Sequence, residues 1–152
     1  MKLAEALAQR ADIAARLGQL KQRAQRSARH QEGETPAEDA GELLAEHGRL
    51  ADDLEGLIRR INATNLATEL EPGVTVTDAL ARRDVLRLRH RMHADLADAA
   101  GSSQDRFTRT ELRSVAAVDV RELRSVADEL AREYRMLDTR IQQVNWTVEL
   151  IE

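Results

Sequence analysis

Four histidines, His30, His47, His90 and His93, are the residues of this chain best suited to acid–base or metal chemistry near neutral pH. His90 and His93 stand three apart, so on a helix they share one face, as two metal ligands must. Arg87, Arg89 and Arg91 surround them and would repel a cation, so the pair reads as a solvated face. His47 falls on an apolar seam, where a polar residue sets coiled-coil register. A di-iron carboxylate bundle needs Glu-x-x-His on two helices. The residues three before the histidines are Ser27, Leu44, Arg87 and His90, so that motif is missing. Gly41 and Gly48 sit inside an acidic helical stretch rather than in a loop that could cradle phosphate. Ser102, Ser103 and Ser114 have no histidine near them in sequence to act as a base. Cysteine is absent, which removes thiol catalysis, thiolate metal sites and disulfides together. The residues therefore name no catalytic, metal-binding or cofactor-binding set, and the expectation is a non-enzymatic protein without a cofactor.

The elements that would position any site are long helices. The chain has 152 residues, 42% apolar and 33% charged, with only three aromatics, Phe107, Tyr134 and Trp146. Thin seams of Leu and Ala between charged faces produce that mixture. Glu5, Arg10 and Asp12 interrupt the apolar run a signal peptide would need. No stretch approaches the roughly 20 apolar residues that cross a bilayer. The expectation is a soluble, cytoplasmic protein.

Helix one is expected over about residues 3–30, on a seam of Leu3, Ala6, Arg10, Ile13, Leu17, Leu20 and Ala24 at alternating steps of three and four. Gly33 and Pro36 end it and start the next, and so short a link favours antiparallel neighbours. Helix two, about residues 37–68, carries Leu43, His47, Leu50, Leu54, Leu57, Ile61, Thr64 and Thr68, with Leu44 and Ile58 widening the stripe. Thr64 and Asn65 suggest a thinner or wetter contact at its end. Seven basic and two acidic residues lie between Lys2 and Arg29, against nine acidic and one basic between Glu32 and Glu55. Two neighbouring helices that fold back and complement each other explain that asymmetry better than a nucleic-acid arm, because no aromatic stands among the basic residues. The net charge of −4 also argues against nucleic acid.

After a turn at Glu71-Pro72-Gly73, the alternating Val74-Thr75-Val76 reads as a short strand, and Thr75 or Thr77 can cap the helix that follows. Helix three, about residues 78–100, spreads Ala81, Val85, Leu88, Met92 and Ala99 along one stripe and Leu80, Leu86 and Leu96 around it, as a helix with neighbours on several sides would. Phe107-Thr108 and Val115-Ala116-Ala117-Val118 read as one or two strands facing Val74-Thr75-Val76. Helix four, about residues 119–150, opens at Asp119 with Glu122 three residues on. Its seam of Val120, Leu123, Ala127, Leu130, Tyr134, Leu137, Ile141, Val144, Val148 and Ile151 keeps the heptad without a miss.

Five segments taken in order resemble a known family: Met1-Lys2-Leu3-Ala4-Glu5-Ala6-Leu7, Ile58-Arg59-Arg60-Ile61-Asn62-Ala63-Thr64-Asn65, Ala81-Arg82-Arg83-Asp84-Val85-Leu86, Val118-Asp119-Val120, and Asp138-Thr139-Arg140-Ile141-Gln142-Gln143-Val144-Asn145-Trp146. Together they are similar to small bacterial proteins labelled septicolysin or septicolysin-like. The resemblance implies a helical family, supplies no catalytic or binding residues, and by its label implies a cytolysin. A pore-former must insert a long apolar helix or amphipathic strands of roughly 9–11 residues. The strand candidates here are shorter, and Arg106, Arg109 and Arg113 interrupt the second.

The expected fold is mainly α, with long antiparallel helical hairpins of four-helix-bundle or coiled-coil type, in a single domain over residues 1–152, and a small β element between helices three and four. The expected role is self-association into a homo-oligomer, with Leu130, Tyr134, Leu137, Ile141, Val144 and Trp146 as assembly contacts. Trp146 lies off the seam and is expected to bury against a second helix or a second subunit. The alternative is a binding module that offers Arg10 to Arg29, or Arg82, Arg83, Arg87, Arg89 and Arg91, to nucleic acid, membrane or protein. An enzyme with a site between subunits is a further alternative.

Overall fold

A computed structural model describes residues 1–102 and 114–152. Four helices dominate it: α1 (Leu3–Arg26), α2 (Ala40–Ala67), α3 (Val76–Gly101) and α4 (Val120–Thr147), with two short strands, β1 (Glu69–Glu71) and β2 (Val74–Thr75), between α2 and α3. The chain resolves into two compact units, Met1–Glu69 with Gln143–Glu152, and Leu70–Gln142. Among the described residues no helix is long and apolar enough to cross a membrane.

In the first unit, α1 and α2 run antiparallel. Leu3, Ala6, Ile13, Leu57, Ile61 and Leu150 form one buried cluster, with Leu7, Leu17, Leu50 and Leu54 packed against it. The predicted seams of both helices therefore face each other, and Arg10, which spoils the first, stays exposed. α1 stops at Arg26, about a turn before the expected end, because its seam runs out at Ala24 and little helical stability survives without an apolar face to bury. α2 starts later than expected, at Ala40, where the Asp39 carboxylate accepts hydrogen bonds from the amides of Gly41 at 2.7 Å and Glu42 at 3.2 Å. The charge asymmetry is used within the unit: the Arg23 guanidinium grips Glu38 with two nitrogens, and Arg16 lies 3.8 Å from Glu46. The hydrogen bonds from Arg23 hold the Glu38 carboxyl below its ordinary range.

The two chain ends zip together in this unit, which the heptad pattern concealed. Instead of continuing to about residue 150, α4 ends at Thr147, whose hydroxyl turns back to the carbonyls of Gln143 and Val144 at 3.1 and 3.0 Å. The extended tail then exchanges hydrogen bonds with the start of the chain, the Leu3 amide to the Val148 carbonyl at 3.0 Å and the Leu150 amide to the Met1 carbonyl at 2.8 Å. Burying Leu150 in the core favours this path over a further helical turn.

Thr64 anchors the same tail. Its side chain is fully buried, and its hydroxyl donates to the Arg60 carbonyl at 2.8 Å and accepts from the Ile151 amide at 3.0 Å. The wet contact expected at this position is instead a satisfied polar clasp. Thr64→Val keeps the shape but orphans the Ile151 amide, and should cost about 1–3 kcal/mol in urea denaturation. A loss within about 0.5 kcal/mol, the range of ordinary surface changes, would show that the clasp contributes nothing.

A second clasp closes the ends electrostatically. Glu149 lies 2.7 Å from Lys2 Nζ and 3.0 Å from the Met1 ammonium. Hydrogen bonds from Lys2 and then from the ammonium hold its carboxyl below the ordinary range. A depressed folded-state pKa contributes stability above the unfolded value of about 4.3 and loses it as pH falls through the folded value. Glu149→Gln should therefore be less stable than the parent at neutral pH, with the difference closing under acid. A constant difference between pH about 3 and 7 would mean the clasp is not ionic.

In the second unit, β1 and β2 pair as a two-stranded hairpin. Gly73 takes a φ of 77° in its turn, a conformation that suits glycine. The expected β element between helices three and four is thus corrected: the sheet lies between helices two and three. Val74 pairs with a strand three residues back rather than one some 40 residues on, and closing the shorter loop costs far less entropy. Val115 to Val118 form no strand, and Phe107-Thr108 lie outside the described residues. Thr75 caps α3: its hydroxyl accepts from the Asp78 amide at 3.1 Å and donates to the Asp78 carboxylate at 2.6 Å, which holds that carboxyl below its ordinary range. Asp119 caps α4 as expected, accepting from the Glu122 amide at 3.0 Å. Arg83 to Asp138 at 3.1 Å and Arg124 to Asp98 at 3.8 Å join opposite ends of α3 and α4, so the two helices run antiparallel.

Candidate functional site

The helix-four seam is largely used inside the chain. Leu130, Tyr134, Leu137 and Val144 are half-buried and Ile141 is buried. Within the second unit Leu137 lines a groove with Arg82 and Leu86 of α3, and Tyr134 lines another with Arg87, His90 and Arg91. Trp146 remains 64% exposed, so no second helix among the described residues buries it. Of the six expected assembly contacts, Ile141 is thus covered, four are partly covered and Trp146 faces solvent.

The exposed apolar surface lies on α3 instead. Leu86, Ala79 and Ala97 face inward, and Arg83 among them is held by Asp138. The opposite side presents Val85 at 44%, Leu88 at 64% and Met92 at 62% exposure, in line with Ala81 and Ala99. The sequence placed these five on one stripe, and the spread of Leu80, Leu86 and Leu96 obscured which arc packs. The inner arc buries Leu86 between the small Ala79 and Ala97, and the stripe on the opposite side is left to solvent.

A different arrangement stands on the edge where α3 meets α4. Arg87, His90 and Arg91, one turn of α3, and Ala131, Tyr134 and Arg135, one turn of α4, line a groove of about 370 Å³. Arg87 is 3.4 Å from Asp84, while Arg91 and Arg135 have no ion pair among the described residues. The sequence grouped Arg87 and Arg91 with His90 but could not show that Tyr134 and Arg135 join them. His93 points its Nδ1 at the Arg89 carbonyl, 2.8 Å away, and is not part of the groove. His47 lines an apolar groove in the first unit with Leu20, Ala24, Leu43 and Leu44, and His30 is exposed beside the Gln31 carbonyl. Among the described residues no group of three or more His, Asp or Glu side chains is placed to hold a metal ion.

None of the curated proteins matches the chain. The fold is similar to the crystal structure of a functionally unknown conserved protein from Corynebacterium diphtheriae, with 46% identity over 99% of each chain and a TM-score of 0.95. A family model described as a family of unknown function (DUF6847) matches residues 10–150, and the chain belongs to that family.

Proposed function

We propose that this chain is a self-associating helical protein, whose copies join in parallel through the outward face of α3. The carrying observation is the exposure of Val85, Leu88 and Met92 in heptad register with Ala81. A β-branched residue at the first core position of a heptad and Leu at the fourth favour a two-stranded parallel coil, and Val85 and Leu88 occupy those positions.

Charge selects the orientation. On this register Asp84 and Arg91 flank one side of the stripe and Arg82 and Arg89 the other. A parallel pair sets Asp84 against Arg89 of the second copy, twice by symmetry, and Arg89 has no ion pair within its own chain among the described residues. An antiparallel pair would set Arg82 against Arg89, which repel, and Asp84 against Arg91, which attract, so it gains no net ion pair.

Each of the three large side chains has about half its surface left to bury, worth about 1 kcal/mol apiece, or about 6 kcal/mol over two copies. Association costs about 4–15 kcal/mol of lost freedom, so the dimer should be weak. Sedimentation equilibrium over a wide concentration range tests it. Mass should rise from one chain toward two as concentration rises through the high micromolar range, and a single-chain mass up to about 1 mM would overturn the reading.

A further inference from the structure

We infer that the groove between Arg87, His90 and Arg91 of α3 and Ala131, Tyr134 and Arg135 of α4 is a binding site for a small aromatic anion, an aryl phosphate or carboxylate. This site is distinct from the proposed dimer seam but borders it, since Arg87 and His90 lie off the stripe of Leu88 and Met92 while Arg91 flanks it.

Arg87, Arg91 and Arg135 line a groove of about 370 Å³, a volume typical of small-molecule sites. Cations gathered without acidic partners repel one another, and an anion relieves that repulsion. Arg87 is paired with Asp84 at 3.4 Å, whereas Arg91 and Arg135 have no ion pair among the described residues. Several other arginines of the same helices are matched, Arg83 to Asp138, Arg82 to Glu133 and Arg132 to Glu129.

The remaining lining sets the ligand's body. Ala131 carries no bulk, which is what leaves the space open, and the Tyr134 ring offers a flat apolar wall. The Tyr134 hydroxyl and both ring nitrogens of His90 have no hydrogen-bond partner among the described residues, so they are available to ligand oxygens. Guanidiniums bind phosphate and carboxylate oxygens in pairs, and a planar ring stacks on Tyr134 or on a guanidinium face. A phosphodiester backbone would gain from the charges but would leave the apolar wall unused.

Tyr134 is the chain's single tyrosine, so 3-fluorotyrosine labelling places one ¹⁹F resonance inside the groove. Titration of the full chain with phenyl phosphate should move that resonance saturably, at concentrations about tenfold below those needed for inorganic phosphate. Arg135→Gln should weaken the response about tenfold or more. Ala131→Leu, which keeps every charge and fills the cavity, should abolish it while helical circular dichroism is unchanged. An unmoved resonance at about 10 mM phenyl phosphate, or an equal response in Ala131→Leu, would overturn the site, the latter leaving only surface charge. A short oligonucleotide that moved the resonance at lower concentration than phenyl phosphate would overturn it in favour of a nucleic-acid face.

Discussion

Ile61→Ala is expected to destabilise the first unit by about 2–5 kcal/mol, a large share of the 5–15 kcal/mol that a domain ordinarily has. Ile61 is 1% exposed and packs in the cluster that joins Leu3, Ile13, Leu57 and Leu150, so truncation leaves a cavity walled by two helices and the C-terminal tail. Those walls cannot collapse freely, because Thr64 holds the Ile151 amide and Arg60 Nε donates to the Ile151 carbonyl at 2.9 Å. Leu66→Ala provides the control on the same helix: Leu66 is exposed, and its truncation should cost less than about 0.5 kcal/mol. Urea titration followed by circular dichroism measures both. Similar midpoints for the two variants would mean that the core lies elsewhere.

Leu88→Glu should hold the protein at the mass of one chain at concentrations where the parent dimerises. In a two-fold parallel seam Leu88 meets its own copy, so the substitution sets two carboxylates together and removes two buried apolar side chains. The fold should be untouched, since Leu88 makes little intramolecular burial to lose. Met136→Glu is the matched control: Met136 is also exposed, lies on α4, and should leave the mass unchanged. Should Leu88→Glu associate as the parent does while Trp146→Ala becomes a single chain, the joining surface is the one around Trp146, and the seam on α3 is misplaced.

Much of the architecture is legible in the sequence. Period and composition determine the four helices and the pairing of α1 with α2, because a thin apolar stripe of Leu, Ile and Ala on a charged helix has only one stable placement, against another such stripe. The charge asymmetry pointed the same way and is realised in Arg23 with Glu38 and Arg16 with Glu46. The caps at Thr75 and Asp119 were local enough to read from residue type alone.

Tertiary structure decided what local pattern could not. The helix-four heptad is continuous through Val148 and Ile151, yet the chain leaves the helix after Thr147, because hydrogen bonds to the first residues and burial of Leu150 outweigh one more turn. The position of the sheet depended on which partner Val74 could reach at least entropic cost. Helix three offered several apolar arcs of similar strength, and only its packing shows that Leu86, Ala79 and Ala97 go inward while Val85, Leu88 and Met92 stay outside. The cationic groove likewise needed two helices some 40 residues apart in the chain to be laid side by side before Arg87 and Arg91 could meet Tyr134 and Arg135. Periodicity specifies which residues share a face of one helix. Which face is covered, and what lies across from it, is a property of the neighbours that the packed chain brings.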